Sequence, residues 1–169
     1  MSTEVLLDTS FLITLVNAHR PHHAIAIQYY RHLLSNNMPM RLSAIAAAEF
    51  AIKQPLTELP LGNFRPLDFS LTHAHEAARL WNALGRRGSG DAQSVVRDDV
   101  KLLAQASREG IGFILTEDAS TLHKYCERLR AGGHITTRAI VLAEGFDPGA
   151  LREDGQGDLL AAHDEDEGA

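Results

Sequence analysis

Short apolar runs alternate along this chain with longer segments in which apolar residues recur at helical spacing. Residues 5–7 and 113–115 are runs of the kind that form buried strands. Between them, Ala26, Tyr29 and Leu33 recur at the three- and four-residue intervals of a helix face. The two patterns predict strands at 4–8, 40–42, 65–69, 113–116 and 138–142, and helices at 10–17, 43–53, 72–84, 92–108 and 119–131, with one more helix from Pro21 onward.

This order of elements predicts the fold class. Strands that alternate with helices form mostly parallel sheets, because each crossover helix returns the chain to the same end of the sheet. The expected architecture is an α/β fold, a three-layer α/β/α sandwich around a small, mostly parallel sheet. A chain of 169 residues is long enough for one such domain with its own core, and we place the domain at residues 1–146.

The segment 147–169 differs from the rest in composition. It is rich in glycine and acids and has little apolar surface to bury, so we expect a disordered tail. The tail holds eight acids and one base, a charge of −7, whereas the whole chain carries −6. Residues 1–146 therefore carry +1, and the overall negative charge does not exclude a nucleic acid as partner.

Cys126 is the only cysteine, so no internal disulfide can form. It shares helical spacing with Leu122 and Leu129, which predicts a core position rather than a reactive thiolate. No stretch is apolar over the roughly 20 residues that cross a bilayer. The N-terminus also lacks the charged-then-apolar pattern of an export signal, and we expect a cytoplasmic protein.

Two acids follow the two apolar runs that are typical of strands. Asp8 comes directly after residues 5–7, and Asp118 comes shortly after residues 113–115. Ligands of open parallel sheets bind at the carboxyl ends of the strands, near the point where the strand order reverses. Taken singly, each acid is equally well explained as the cap of the helix that follows it.

Two further acids are predicted on the inward faces of helices. At 100° per residue, Asp99 lies in line with the apolar positions 95, 102, 103 and 106. Its neighbour Asp98 points away from that line and can pair with Lys101. Glu49 lines up with the apolar positions 45 and 52, and its simplest alternative is a glutamate at the helix edge with its carboxylate in water.

Four carboxylates that face one another repel, and one of them takes up a proton unless a cation lies between them. Oxygen ligands of this kind suit Mg²⁺ or Mn²⁺, and such ions activate water for attack on phosphate esters. Asp8, Glu49, Asp99 and Asp118 therefore predict a divalent metal site that acts on phosphate.

Four short motifs follow one another in an order that resembles a known family. They are VLLDTS at 5–10, SAIAAAE at 43–49, DVKLLAQA at 99–106 and ILTED at 114–118. Together they resemble the successive motifs of PIN-domain ribonucleases, most closely those of the VapC-type toxins of toxin–antitoxin pairs. The resemblance covers residues 4–146 and leaves the tail outside it.

The resemblance implies a metal-dependent endoribonuclease that hydrolyses RNA phosphodiester bonds, with a small parallel sheet between helices as its fold. Asp8, Asp99 and Asp118 would bind Mg²⁺ (or Mn²⁺), and Glu49 would complete the catalytic set. The resemblance also implies an RNA substrate, either tRNA or mRNA, a cognate antitoxin protein and a homodimer.

Hydroxyls and arginines near these acids are further candidates. Thr116 and Ser10 would orient a ligand or a water, although Ser10 is better explained as the cap of the helix that follows β-strand residues 4–8. Arg86, Arg87 and Arg97 are candidate contacts to RNA phosphates, and a solvated loop explains them as well.

One departure from the family pattern leaves an alternative open. Many members carry a further acid a few residues beyond the position of Asp118, where this chain has Ala119-Ser120-Thr121. The alternative is a non-catalytic PIN-like binding module that acts through protein or RNA contacts. A phosphatase of the haloacid dehalogenase type also begins with a strand and an aspartate, but it needs a second aspartate where this chain has Ser10.

Overall fold

The computed structural model describes residues 2–86, 88 and 90–152, and every strand and helix predicted from the sequence is present in it. The strands are β1 (Ser2–Leu7), β2 (Met40–Ser43), β3 (Phe64–Leu67), β4 (Ile111–Thr116) and β5 (Arg138–Val141). The helices are α1 (Thr9–Val16), α2 (His23–Ser35), α3 (Ala44–Lys53), α4 (Leu71–Leu84), α5 (Gln93–Glu109) and α6 (Lys124–Ala131).

The five strands are all parallel, and their order across the sheet is β3-β2-β1-β4-β5. Val5 of β1 pairs with Met40 of β2 on one side and with Phe113 of β4 on the other. The chain first builds outward from β1 to β3, then returns to add β4 and β5 on the opposite side. The strand order therefore reverses between β1 and β4, which is where an open α/β sheet binds its ligands.

The central strands are buried on both faces, which confirms the predicted α/β/α sandwich. All six residues of β4 are buried, and the side chains of Val5, Leu6 and Leu7 in β1 are inaccessible to solvent. A parallel strand of this kind needs helices over both faces of its sheet. None of the helices in the described ranges combines the length and the apolar character needed to cross a bilayer.

Side-chain caps define where several helices begin and end. The Asp8 carboxylate accepts a hydrogen bond from the Phe11 amide at 2.8 Å and so caps α1. Ser43 caps α3 in the predicted way, through the Ile45 amide. Gly110 ends α5 with a φ of +66°, a left-handed conformation that glycine adopts without a steric cost.

Two helix starts differ from the prediction. Helix α2 begins at His23 rather than at Pro21, because the preceding residues form a turn in which the Arg20 amide donates to the Asn17 carbonyl. The predicted helix 119–131 opens with a π-helical turn, Ala119–His123, before α6. In that turn the His123 amide donates to the Asp118 carbonyl, five residues back.

The chain after β5 packs against α2. Tyr29 donates a hydrogen bond to the Gly145 carbonyl and accepts one from the Asp147 amide, both at 3.2 Å. Pro148–Leu151 form a short 3₁₀ turn in which Leu151 is only 3% exposed. The first six residues of the segment predicted to be a tail, 147–152, thus pack on the domain. The remainder of that segment, 153–169, lies outside the described residues.

Candidate active site

The four predicted acids line one open cleft of about 410 Å³ at the carboxyl edge of the sheet. Asp8 follows β1 and Asp118 follows β4, the two strands between which the strand order reverses. Asp99 reaches the cleft from α5, and Glu49 reaches it from α3. The structure therefore brings together side chains that are up to 110 residues apart in the sequence.

Asp8 is buried at the floor of this cleft, with 5% of its surface exposed. It accepts hydrogen bonds from the Phe11 amide, from Ser10 Oγ at 2.8 Å and from Thr116 Oγ1 at 2.5 Å. Burial nevertheless raises the pKa of Asp8 to about 6, since these three donors offset only part of the desolvation cost. The carboxylate both caps α1 and faces the cleft, so Asp8 is at once a helix cap and an acid at the ligand-binding edge of the sheet.

Ser10 and Thr116 connect the end of β1 to the end of β4. Ser10 Oγ accepts a hydrogen bond from the Glu117 amide at 2.8 Å, and Thr116 Oγ1 accepts one from the Asp118 amide at 2.9 Å. Both hydroxyls donate to Asp8. The prediction that Ser10 caps the helix is wrong, because Asp8 fills that position and Ser10 lies within the first turn of α1.

Asp118 is held by the turn that follows it. Its Oδ1 accepts hydrogen bonds from the Ser120 and Thr121 amides, and its Oδ2 accepts one from Thr121 Oγ1. Burial opposes ionisation of this half-buried acid, but these donors hold its pKa below the usual range. In the stretch where many family members have a further acid, this chain thus has hydroxyl residues that position Asp118.

Asp99 carries the least satisfied carboxylate of the four. It is 9% exposed, and its Oδ2 is buried without a hydrogen-bond donor among the described residues. Burial, together with the negative charges of Asp118, Asp8 and Glu49, raises the pKa of Asp99 to about 7. A buried acid in this state is stabilised either by a proton or by a cation.

The inward face of α5 is confirmed around Asp99, with one exception. Val96 and Val100 are buried, whereas Val95, which the helical phase places on the apolar line, is 44% exposed at the cleft. Asp98 pairs with Lys101 at 2.9 Å as predicted, although Asp98 also borders the cleft. Val95 is exposed because the cleft opens on the side of α5 that carries it.

Glu49 is half-buried at the edge of the cleft, and Thr9 Oγ1 donates to its Oε2 at 2.6 Å. The prediction that it shares an apolar face with Ile52 is wrong, because Ile52 is 84% exposed. The buried face of α3 is formed by Ala46 and Phe50. Glu49 borders the cleft from the flank of that face, and the hydrogen bond from Thr9 sets its direction.

The predicted arginines do not line the cleft. The guanidinium of Arg97 lies 5.6 Å from the ring centre of Trp81 and borders a separate groove between α4 and α5. Arg86 is exposed in the loop before α5, and Arg87 lies outside the described residues. Two cations that the sequence reasoning missed, Arg20 and Lys53, do line the cleft. Only their positions, Arg20 just before one predicted helix and Lys53 at the end of another, could have drawn attention to them.

The donor set fits a hard divalent cation that keeps part of its water. All four acids offer oxygen ligands, and the unpaired Oδ2 of Asp99 lies among the negative charges of the other three. Within the described ranges, however, no three His, Cys, Asp or Glu side chains already stand close enough to chelate an ion together. Mg²⁺ needs only a few direct carboxylate bonds, since water completes its shell.

The fold and the cleft define a class of protein, the parallel α/β sandwiches with an acidic cleft at the reversal of strand order. Within this class, the model of the PIN domain family matches residues 5–128 of the chain. The chain therefore belongs to the PIN domain family, as its motifs predict. No curated protein matches the sequence.

Solved structures with the same fold include several toxin–antitoxin proteins. VapBC2 from Rickettsia felis, bound to a DNA fragment from its promoter, is 16% identical with a TM-score of 0.54 over 81% of this chain and 97% of that one. VapC20 from Mycobacterium tuberculosis, a toxin that cleaves the sarcin–ricin loop, is 18% identical with a TM-score of 0.51 over 80% and 99%. DNA-bound VapBC from Salmonella typhimurium is 20% identical with a TM-score of 0.52 over 84% and 99%. This similarity establishes a VapC-like fold.

Proposed function

We propose that this protein is a metal-dependent endoribonuclease that hydrolyses RNA phosphodiester bonds and serves as the toxin of a toxin–antitoxin pair. The observation that carries the proposal is the carboxylate of Asp99. Its Oδ2 is buried with no hydrogen-bond donor among the described residues, beside three further acids, in a cleft at the reversal of strand order. Without a cation this arrangement is costly, whereas with one it is a site for chemistry on phosphate.

Asp8, Asp99 and Asp118 are the residues that would hold Mg²⁺ or Mn²⁺, directly or through water. A bound ion would supply a water of lowered pKa and would polarise the phosphate. Hydrogen bonds from Thr116 and Ser10 fix the Asp8 carboxylate before any ion arrives. This preorganisation matches what a metal site needs, because ligating carboxylates are themselves oriented by neighbouring donors.

Glu49 is the candidate to orient the attacking water. Thr9 donates to Oε2, which leaves Oε1 of Glu49 able to accept a hydrogen bond at the edge of the cleft. A carboxylate that accepts from a water lines up its lone pair for attack on phosphorus. Arg86 and Arg97 lie outside the cleft, where they would contact RNA phosphates away from the cleaved bond.

The proposed partners are supported by the similar structures. Structures of VapBC from Rickettsia felis and Salmonella typhimurium contain toxin–antitoxin complexes on DNA, and VapC20 is a toxin that cleaves the sarcin–ricin loop. By analogy, the proposed partners are a cognate antitoxin, a second copy of the chain and a tRNA or mRNA substrate. The proposed location is the cytoplasm, where such an RNA is found.

A cleavage assay with total RNA and Mn²⁺ tests the nuclease proposal. It compares the purified wild-type protein with the variants Asp8→Asn and Asp99→Asn. We expect each variant to lose at least about a hundredfold of the cleavage rate, since each removes a negative ligand from the ion. Asp68→Asn is the matched control, because Asp68 is exposed and lies outside the cleft. Cleavage that survives both variants would exclude the metal nuclease.

One observation favours a second function, a non-catalytic PIN-like binding module. No acid stands at residues 119–122, and the described acids are not preassembled as a chelating group. A binding module would retain RNA or protein binding in the presence of EDTA and would show no cleavage with Mn²⁺. The rate measurement on the wild-type protein separates the two functions.

A further inference from the structure

Arg20 stands at the acidic cleft but is not paired with any of its four acids. It lies in the turn between α1 and α2, lines the cleft, and keeps 40% of its side chain exposed. Its Nη2 donates to Glu117 Oε2 at 2.9 Å, and its Nε approaches Thr14 Oγ1 at 3.5 Å. Its Nη1 makes no hydrogen bond within the described residues, so part of the guanidinium stays available to a ligand.

Glu117 is built to hold this arginine. Its carboxylate, 14% exposed, accepts hydrogen bonds from Thr14 Oγ1 at 2.8 Å and from His22 Nδ1 at 3.0 Å, in addition to Arg20. The Glu117 carboxylate is therefore fixed immediately before Asp118 in the sequence, and its partners all come from α1 and the turn after it.

Without its ion pair to Glu117, Arg20 would pair with the metal acids, the carboxylates of Asp8, Asp99 and Asp118 that are proposed to hold the ion. Arginine pairs strongly with carboxylates, and Asp8, Asp99 and Asp118 offer three of them in the same cleft. Such pairing would occupy the ligands that a cation needs. Because Glu117 holds one edge of the guanidinium, the free edge remains at the wall of the cleft. Planar N–H donors at the wall of such a cleft match the oxygens of a phosphate.

We propose that Arg20 binds a phosphate of the RNA backbone next to the one that is cleaved, and that Glu117 is a positioning residue that keeps Arg20 away from the metal acids. The inference rests on the proposed ribonuclease function and identifies the wall of the cleft that carries Arg20 as the place where the RNA backbone binds. Arg20 thereby acts on substrate affinity, whereas Glu117 acts through Arg20 on both RNA binding and metal binding.

The first test measures RNA binding and cleavage by the full chain. The probe is a fluorescent single-stranded RNA pool of 20 random nucleotides, with binding measured in EDTA and initial cleavage rates measured in Mn²⁺. For Arg20→Ala we expect a Kd and a KM about ten- to a hundredfold higher, with kcat changed less than about threefold. The slope of log Kd against log salt should fall by about 0.7, the loss of one phosphate contact. Arg20→Lys should recover part of the affinity.

Arg31→Ala is the matched control, because Arg31 is exposed on α2 and lies outside the cleft. It removes the same charge and should change Kd by less than about twofold. If Arg20→Ala alters Kd and salt slope no more than Arg31→Ala does, the proposal for Arg20 is overturned. That outcome leaves Mn²⁺-dependent cleavage by the wild type intact. A wild type that cleaves no RNA overturns the ribonuclease function instead, and the EDTA binding arm still decides the role of Arg20.

The second test concerns the ion pair between Arg20 and Glu117 and needs no RNA. Mn²⁺ affinity is measured by calorimetry on the wild type, Glu117→Gln, Arg20→Ala and the double variant. Glu117→Gln should weaken Mn²⁺ binding about three- to tenfold, since the released arginine competes for the acids. Adding Arg20→Ala to it should restore the wild-type affinity. If Glu117→Gln weakens Mn²⁺ binding equally with and without Arg20, or leaves it unchanged, the positioning role is overturned.

Discussion

Asp99 and Asp8 differ from ordinary surface acids in how they titrate. Burial raises the pKa of Asp99 to about 7 and that of Asp8 to about 6, from 3.8 for both. At these two acids, the folded, metal-free protein therefore binds more protons than the unfolded chain between about pH 4 and pH 7. Their contribution to stability is greatest below this window and falls as the pH rises through it. A divalent ion needs both carboxylates ionised, so metal binding has the opposite pH dependence.

Asp99→Asn should reveal directly the free-energy cost of an ionised carboxylate at this buried position. In EDTA at pH 8, we expect the variant to be more stable than the wild type by on the order of 2 kcal/mol, because no buried charge remains. At pH 4.5 the difference should shrink, since Asp99 is then protonated in the wild type. Urea unfolding at both pH values measures the effect, and an equal difference at the two pH values would contradict it.

Mn²⁺ affinity of the wild type should rise from pH 5.5 to pH 7.5 and then level off. The rise follows the ionisation of Asp8 and Asp99, whose pKa values lie in this interval. Calorimetric titration at half-unit pH steps measures the curve. In Asp99→Asn the residual affinity should be weaker throughout. A wild-type affinity that does not change over this interval would mean that neither acid binds the ion.

At the scale of elements, the site depends on the way β1 and β4 end side by side. Asp8 begins α1 and also faces the cleft, while Thr116 at the end of β4 donates to it. The π-helical turn after β4 directs Thr121 onto Asp118 in the same way. Asp118 is therefore held by the turn that follows it, and Asp8 is held by the first turn of α1 and by the end of β4.

Asp8→Ala and Asp8→Asn separate the two roles of this residue. Both variants remove the charge and should abolish Mn²⁺-dependent activity. Asparagine still caps a helix, whereas alanine does not, so Asp8→Ala should be less stable than Asp8→Asn by about 1 kcal/mol. Urea unfolding in EDTA measures the difference. Equal stabilities would mean that the hydrogen bond to the Phe11 amide contributes nothing to α1.

At the scale of the whole molecule, the packed chain extends through the turn at 148–151. Leu151 is buried, and Tyr29 hydrogen-bonds to the backbone at Gly145 and Asp147. The residues beyond Arg152 contain seven acids and no base, so the chain through residue 152 carries a formal charge of +1. Residues 1–152 and residues 153–169 therefore carry net charges of opposite sign. Truncations at different points can separate the effect of packing from the effect of charge.

Two truncations test this division. Removal of 153–169 should change Tm by less than about 2 °C and should tighten binding of the random RNA pool at low salt, because seven negative charges are removed. Removal of 147–169 also deletes Leu151 and should lower Tm by at least about 4 °C. Thermal unfolding and RNA binding at two salt concentrations measure both effects. An equal Tm for the two truncations would contradict the packing role of Leu151.

The sequence by itself determined the order and type of the elements, because apolar runs and helical spacing are local patterns. It also indicated Asp8 and Asp118 through strand ends, and Asp99 through the phase of α5. Helical phase predicts burial less accurately at the surface of the cleft, where Val95 and Ile52 are exposed. An open cleft leaves apolar positions uncovered, and periodicity alone does not show where a cleft lies.

Only the tertiary structure decided which side chains orient the acids. Thr116 meets Asp8 across 108 residues, Thr9 meets Glu49 across 40, and Arg20 meets Glu117 across 97. No local pattern marks such pairs, since they form when the reversal of strand order brings β1 and β4 side by side. Local periodicity therefore accounts for the elements and three of the acids, whereas long-range packing determines their partners, their pKa values and the position of Arg20.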